Sequence, residues 1–378
     1  MDLSFVRSLG QNAECFYLLD LYPKLHKATA LNLECAPAQA EVISMANFPG
    51  MEGFSKMLPL DRCFVINRIS NNPLSASNLL LQYKLFRFIQ KLDPDVIHFN
   101  NQIYFTHFYL FAWARRLLIS IHDPFPHSGE EADTQKLSAR IYQWLNNRFI
   151  RHHLLYNEVM VAAYAKDRGL SEDRILTSSL GPYDYLKLMS SRGASDRCDF
   201  LIFGRIQKYK GIDLLLEAFV IVLQEFPDAT LTVAGAGAFW FEVADYGIPE
   251  KNLKIINRFI PSDELAGLLE GSKVVVCPYR DATQSGVVMS AYAFHRPVIV
   301  TNVGALSQVV EDGKTGFVVE PNDAPALADA MKRVLGPDQP LRNAPQYIDQ
   351  IYHKGSKSWD AITQTIIGAY KIVTGSVG

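Results

Sequence analysis

The chain has 378 residues, 48% of them hydrophobic and 20% charged, with a formal net charge of −2. That length exceeds one ordinary domain, so two are expected. The composition excludes a disordered chain, and the charge balance gives no sign of a nucleic-acid partner. The five cysteines, Cys15, Cys35, Cys63, Cys198 and Cys277, show no Cys-x-x-Cys spacing. They read as reduced core residues of a cytoplasmic protein, with no disulfide or zinc framework. No signal-peptide pattern and no apolar run long enough to span a bilayer are visible.

From the N-terminus, Leu3 to Ser8 reads as an opening strand, followed by an apolar segment from Cys15 to Leu25. Ala40 to Ala46 and Cys63 to Ile69 are further strands. Ser75 and Ser77 can cap a helix from about Asn78 to Leu92. Asp95 to Asn100 is a strand ending in a loop, and a helix from Ile103 to Arg116 leads to the strand Leu117 to Ile121. Strands alternating with helices imply parallel βαβ units in a doubly wound α/β sheet. The strand ending at Ile121 runs into His122-Asp123-Pro124-Phe125-Pro126-His127, polar residues at the edge where such sheets bind ligands. His122 fits a proton shuttle or a hydrogen-bond donor to a sugar hydroxyl. Its spacing to Asp123 and His127 matches no standard metal site.

Asp133 to Leu154 reads as helical. Its end mixes Arg148, Arg151, His152 and His153 with Phe149, Ile150 and Leu154, a pattern that suits either an anionic membrane surface or a half-buried helix with a solvated face. Val159 to Leu170 and Ile175 to Leu180 complete this half, and the small polar stretch Ser190 to Asp196 is the best linker.

After the linker the alternation restarts. Asp199 to Phe203 is a buried strand, and Ile212 to Phe226 a helix. Between them lies the basic loop Gly204-Arg205-Ile206-Gln207-Lys208-Tyr209-Lys210-Gly211. Free N–H groups and the positive end of a helix favour an anion there, and Arg205 and Lys210 add full charges; a solvated basic turn is the alternative. Ala229 to Gly235 is a strand closed by Ala234-Gly235-Ala236-Gly237, an incomplete dinucleotide fingerprint. Leu253 to Phe259 is the next strand, and Ser262-Asp263-Glu264 caps the helix reaching Leu269. The strand Lys273 to Pro278 empties into Tyr279-Arg280-Asp281-Ala282-Thr283-Gln284-Ser285, which turns into a helix from Val287 to Phe294. Ser285, Gly286 and Val287 would present backbone N–H groups to a second anion site, and Asp281, Thr283 and Gln284 could bond sugar hydroxyls. Two such sites suit a diphosphate.

The run Gly204-Arg205…Lys210-Gly211-Ile212-Asp213-Leu214-Leu215, then Val233 to Gly237, Tyr292 to Thr301, and Gly304 to Val319 resembles the retaining glycosyltransferases of family 4. The resemblance covers about Phe200 to Leu335. In the first half it rests on Asp95 to Asn100 and His122 to Glu130. It implies a GT-B fold of two Rossmann-like domains facing across a cleft: an acceptor-side domain over residues 1–185, a linker over 186–198, and a nucleotide-sugar domain over 199–345. The C-terminal segment 346–378 would cross back to the first domain. By the same resemblance, Arg205, Lys210 and the amides of Ser285 to Val287 bind the donor diphosphate, and Arg205, Lys210 and His122 serve catalysis. Arg258, Phe259 and Ile260 hold the base, Ser290 lies near the ribose, and Asn100 and His127 sit with His122 on the acceptor side.

The family usually carries two glutamates with seven residues between them across the donor loop. Here Ser290 stands at the second position, and the first falls on Ala282 or, with a one-residue shift, Asp281. The Gly-Gly pair common in the first loop is also missing. The implied activity is metal-independent, cofactor-free hexosyl transfer from a nucleoside-diphosphate sugar to a glycan or lipid-linked acceptor, in bacterial polysaccharide synthesis at the inner face of the membrane. Competing readings are a nucleotide-sugar epimerase or phosphorylase on the same architecture and a non-catalytic sugar-nucleotide-binding protein.

Overall fold

The computed structural model describes residues 3–23, 37–48, 51–122, 124–125, 137–189, 197–282 and 286–375. The chain forms two compact units. The first comprises Met1–Pro124, Asp133–Ser179 and Asp360–Gly378, and the second Phe125–Ala132 and Leu180–Trp359.

The first unit opens on a helix, α1 (Leu3–Asn12), where a strand over Leu3 to Ser8 was expected. Phe5, Val6 and Leu9 are buried together with Ser8, the i, i+1, i+4 repeat of one helix face. Strands β1 (Tyr17–Leu21), β2 (Glu41–Ser44) and β3 (Cys63–Asn67) form a sheet in the order β1-β3-β2, with β2 antiparallel. Helix α2 (Ala76–Leu92) begins where the Ser75 hydroxyl accepts the Asn78 N–H, and stops at Asp93, which turns left-handed at φ 43°. A second, all-parallel sheet follows in the order β4-β5-β6-β7. Its strands are β4 (Ile97–Asn100), β5 (Leu117–Ile121), β6 (His152–Leu155) and β7 (Ile175–Thr177). Helices α3 (Leu137–Phe149) and α4 (Val161–Arg168) connect the later strands.

Two expectations in this sheet are corrected. The segment Phe105–Arg116 is a tight 3-10 path broken at His107 and Trp113, not a regular helix. Its bulky aromatic residues lose rotamer freedom in a helix, and His107 is held by Asp20 through a 2.6 Å contact. The helix expected to reach Leu154 ends at Phe149, and Ile150 closes it by donating its N–H to Asn146. His152, His153 and Leu154 are buried in strand β6 and take no part in a surface patch.

The second unit starts with the short helix α5 (Tyr185–Met189), whose Leu186 is buried in this unit's core. Its central sheet has β8 (Cys198–Phe203), β9 (Leu231–Ala234), β10 (Leu253–Ile256), β11 (Ser272–Cys277), β12 (Val298–Thr301) and β13 (Gly316–Val319). Helices α6 (Ile212–Leu223), α7 (Ser262–Gly271), α8 (Gly286–Ala293) and α9 (Ala324–Leu335) cover it. The strands are parallel and run in the order β10-β9-β8-β11-β12-β13. The chain winds outward from β8 to β10, then returns to lay β11 on the other side of β8. That reversal is the topological switch point of a Rossmann sheet, where the loops after two central strands diverge and leave a crevice. Strands β8, β11 and β12 read as near-continuous apolar runs because helices cover both faces. Ser262 is the first residue of α7 and makes no side-chain cap; Pro261 occupies the cap position.

Helix α10 (Ala344–Ile348) and a wide turn over Asp349–His353 precede the last helix, α11 (Trp359–Thr374). Ile362, Ile366, Ala369 and Val373 form its buried stripe. Thr363 donates its hydroxyl to Ser8 at 2.9 Å, and Gln364 donates to Asn12 at 2.9 Å, so α11 lies along α1 within the first unit.

Candidate functional site

In the second unit, β8 ends at Phe203 and the chain turns through Gly204 at φ +103°. A Cβ there would stand 2.5 Å from Lys210 Nζ. Lys208–Lys210 make one helical turn, and Gly211 at φ +65° passes the chain into α6. A side chain at Gly211 would strike the Pro278 carbonyl at 2.1 Å. The two glycines therefore let Lys210 fold back beneath its own loop.

The Lys210 ammonium is buried, donates to the Phe203 carbonyl at 3.3 Å and stands 5.4 Å from the centre of the Tyr279 ring. Burial, reinforced by the charge of Arg205, pushes its pKa down to about 8. Among the described residues no carboxylate pairs with it; the adjacent Cys277 thiol is driven up to about 12 by burial and stays neutral. A desolvated cation without a counter-ion is costly on its own. An arriving anion would offset that cost. Arg205 is exposed at the same loop.

The turn Ala234 to Gly237 backs this loop. Gly204 donates its N–H to Ala234, and Ile206 to Ala236, both at 2.9 Å. A Cβ on Gly235 would lie 1.9 Å from the Gly204 carbonyl, so the partial fingerprint serves close backbone contact.

The loop after β11 flanks the other side of the switch point. Arg280 donates its backbone N–H to Tyr209 at 2.6 Å. Its guanidinium binds both carboxylate oxygens of Asp213, at 2.8 and 3.0 Å, along with the Lys208 carbonyl and Asn322. Although burial pushes the other way, these bonds hold the Asp213 carboxyl below its usual range. Arg280 and Asp213 were not expected as site residues; the available signal was an acidic residue in the first turn of α6 and an arginine where β11 ends. Ala282 is buried, Asp281 is half-buried, and Thr283, Gln284 and Ser285 lie outside the described residues. Gly286 and Val287 open α8. The Ser290 hydroxyl is buried and donates to the Gly286 carbonyl at 2.8 Å, so it turns into its own helix.

Arg258, Phe259 and Ile260 follow β10, two strands from β8 and roughly 10 Å away at ordinary strand spacing. Arg258 is paired through two bonds with Glu264, at 2.7 and 2.8 Å. Phe259 presents a half-exposed ring at this edge.

In the first unit, Asn100 and His122 stand at the ends of neighbouring strands. His122 Nε2 donates to Asn100 Oδ1 at 2.6 Å, and the imidazole stacks on Tyr156 at 4.7 Å. Tyr156 donates to the Ser120 hydroxyl at 3.0 Å. Ser120 bonds His98 Nε2, and His98 Nδ1 meets the Tyr370 hydroxyl of α11 at 2.8 Å. Burial pushes the His98 imidazole down to about 3, so it is neutral and relays hydrogen bonds. The period-two alternation of His98 with Asn100 and Ser120 with His122 was the sequence signal for one polar face. His127 lies outside the described residues. Among the described residues, no cluster of three metal-ligating side chains and no helix long and apolar enough to cross a membrane is present.

The chain is an α/β protein of the GT-B class with Rossmann-like sheets, the fold of solved glycosyltransferases. A glycosyltransferase from Rickettsia africae ESF-5 superposes over 96% of this chain and 99% of its own, with a TM-score of 0.62 at 16% identity. Anabaena HepE in complex with UDP covers 94% of this chain and 99% of its own, with a TM-score of 0.61 at 18% identity. Residues 197–336, within the second unit, match the family described as glycosyl transferases group 1. The D-inositol 3-phosphate glycosyltransferase of Corynebacterium urealyticum is 27% identical over 177 residues, which are 44% of this chain and 41% of that protein. The chain thus spans about two fifths of the length of such relatives.

Proposed function

We propose that the chain is a retaining glycosyltransferase of family 4, moving a hexosyl group from a nucleoside-diphosphate sugar to a glycan or lipid-linked acceptor in bacterial surface polysaccharide synthesis. The observation that carries this reading is the buried Lys210 ammonium, which has no carboxylate partner among the described residues, beside exposed Arg205 at the switch point. Negative charge grows on the leaving diphosphate as the glycosidic bond breaks. Arg205, Lys210 and the N–H groups at the start of α8 stabilise that charge through fixed donors, without a metal. The sugar centre becomes oxocarbenium-like. The acceptor attacks from the face the leaving group departs, and the diphosphate oxygen takes the acceptor's proton. His122, oriented by Asn100 and Tyr156, belongs to the acceptor side. UDP is the first nucleotide to test, since UDP and UDP-glucose occupy HepE.

The protein works at the cytoplasmic face of the membrane as a peripheral enzyme. Helix α3 supports this with exposed Ile141, Trp144 and Phe149 among Arg140 and Arg148, an apolar-basic face suited to an anionic bilayer.

Thermal-shift and calorimetric titration with nucleoside diphosphates and their sugars tests the reading, followed by transfer assays with Arg205→Ala and Lys210→Ala. The single substitutions are expected to abolish most transfer in a folded protein; full activity in the double variant would refute the assignment. A second reading, a non-catalytic nucleotide-sugar-binding protein, is favoured by the inward-turned Ser290, and by buried Ala282 if the ungapped register holds, at positions where the resembled family usually carries glutamates. It predicts donor binding with no product.

A further inference from the structure

The first unit contains a buried charged cluster that the donor chemistry does not use. Asp20, near the end of β1, accepts two bonds from Arg68, Nε at 2.7 Å and Nη2 at 2.9 Å. Arg68 directly follows β3 and its side chain is fully buried, whereas Asp20 keeps 19% of its side chain exposed. His107 Nε2 donates to Asp20 Oδ2 at 2.6 Å. His107 Nδ1 lies 3.2 Å from the Thr106 hydroxyl, which lies 2.9 Å from the Tyr22 hydroxyl. The Tyr22 ring sits under the Arg68 guanidinium at 5.0 Å. Beta1 is parallel to β3, so Asp20, Tyr22 and Arg68 share the carboxyl edge of their sheet. Thr106 and His107 follow β4, the strand that carries Asn100.

One direction of donation satisfies every member. His107 gives its Nε2 proton to Asp20, Thr106 gives its proton to His107 Nδ1, and Tyr22 gives its proton to Thr106. Among the described residues, two acceptors then remain at the partly exposed end: a lone pair on Asp20 Oδ1, which receives Arg68 Nε, and the phenolic oxygen of Tyr22. Residues 20 and 22 are two apart in an extended segment and point to the same side. Burial and the neighbouring Asp20 raise the Tyr22 pKa, so the phenol keeps its proton. The carboxylate and the guanidinium cancel in charge. A phosphate would meet the carboxylate, and an amine would meet the guanidinium. A neutral ligand that donates from adjacent hydroxyls fits. Buried ion pairs are seldom the most stable solution for a core, so stability alone does not account for this one.

We propose that Asp20 and Tyr22 form a recognition site for a vicinal diol of a neutral sugar or polyol, with Arg68, His107 and Thr106 as the residues that hold it. The inference rests on reading the first unit as the acceptor side and assigns that side its hydroxyl-selecting residues.

Saturation-transfer NMR on the full chain tests it, with myo-inositol and methyl α-D-glucopyranoside as probes and inorganic phosphate as competitor. Wild-type protein is expected to saturate at least one of the two polyols, and phosphate at equal concentration is expected to leave that signal unchanged. Tyr22→Phe removes one oxygen and leaves the ion pair intact; it should weaken polyol binding about three- to tenfold, the worth of one hydrogen bond, in a folded protein that melts somewhat lower because the Thr106 hydroxyl loses its donor. Absence of saturation by the wild type, displacement by phosphate, or wild-type affinity in Tyr22→Phe overturns the proposal. UDP binding, followed separately by calorimetry, reports on the second unit. Its loss beside a retained polyol signal would sink the donor reading and leave this site standing.

Discussion

Asp213 and Arg280 form a two-bond ion pair that joins helix α6 to the loop after β11, at 2.8 and 3.0 Å. The pair is more than decorative charge. Arg280 also bonds the Lys208 carbonyl, inside the loop that carries Lys210. Trp240 adds a donor to the Asp213 carboxylate at 3.2 Å. Both side chains are about three-quarters buried or more, at 27% and 19% exposure. Asp213→Asn should therefore cost about 1–3 kcal/mol, more than a surface pair would, because it leaves a largely desolvated guanidinium short of its partner. The same change should lower UDP affinity by loosening the loop. Denaturant unfolding and calorimetry check the two parts; an unchanged midpoint with unchanged UDP affinity would show that the pair holds neither.

Lys210 sets function against stability. Its folded pKa of about 8 lies below the ordinary 10.5, which corresponds to a penalty of about 3 kcal/mol at neutral pH. The sign follows from proton counting. Below pH 8 both folded and unfolded chains carry the proton, and the penalty is fully present. Between pH 8 and 10.5 the folded lysine loses its proton first, so stability rises with pH. Lys210→Met, of similar length and without the charge, should melt higher than wild type at pH 7 and lose most of this advantage by pH 10. It should also fail to bind UDP. A variant that melts lower than wild type at pH 7 would contradict the buried-cation account.

On the proposed reading, diphosphate binding needs the protonated lysine, so UDP affinity should fall as pH rises above about 8, the pKa of the free protein. A bound anion restores the charged form and raises that pKa. Near pH 8.5 binding should then take up a fraction of a proton. Calorimetry in two buffers of different ionisation enthalpy measures that uptake directly. Lys210→Met abolishes the site, so the informative control is Arg205→Lys, which keeps both charges and should keep the uptake.

What could be read before the fold was known depended on sequence distance. The strand–loop–helix around Gly204 was legible because its parts are contiguous: an apolar strand, a glycine that must turn, and a leucine-rich helix. The helix at Leu3–Asn12 was misread as a strand because its stripe is short and Ser8 occupies a core position. Ser8 tolerates burial because its hydroxyl accepts from Thr363 and donates to Asp360, both more than 350 residues away in sequence. His152 and His153 looked like the polar end of a helix; inside a parallel sheet, burial drives the His153 imidazole down to about 3 and keeps it neutral. Asp213 with Arg280, and Asp20 with Arg68 and His107, join residues from separate βαβ units. No local pattern announces such pairs. Their geometry exists only once parallel strands bring their carboxyl ends to one edge.

Tyr370 offers the most distant test of the acceptor side. It lies in α11, yet its hydroxyl bonds His98 Nδ1 at 2.8 Å. His98 in turn fixes Ser120, Ser120 accepts from Tyr156, and Tyr156 is the floor on which His122 stacks. Tyr370→Phe leaves the buried His98 Nδ1 without its hydroxyl partner, at a cost of about 1–3 kcal/mol. If that were its whole effect, unfolding would shift and turnover in the folded protein would not. The chain of bonds predicts more. With Tyr156 less firmly held, the His122 ring loses its fixed orientation, so kcat should fall several-fold while KM for the donor, set in the second unit, stays unchanged. Phe at 370 preserves the ring packing of α11 and removes only the hydroxyl. An unaltered kcat in a measurably destabilised Tyr370→Phe protein would show that α11 merely closes the fold.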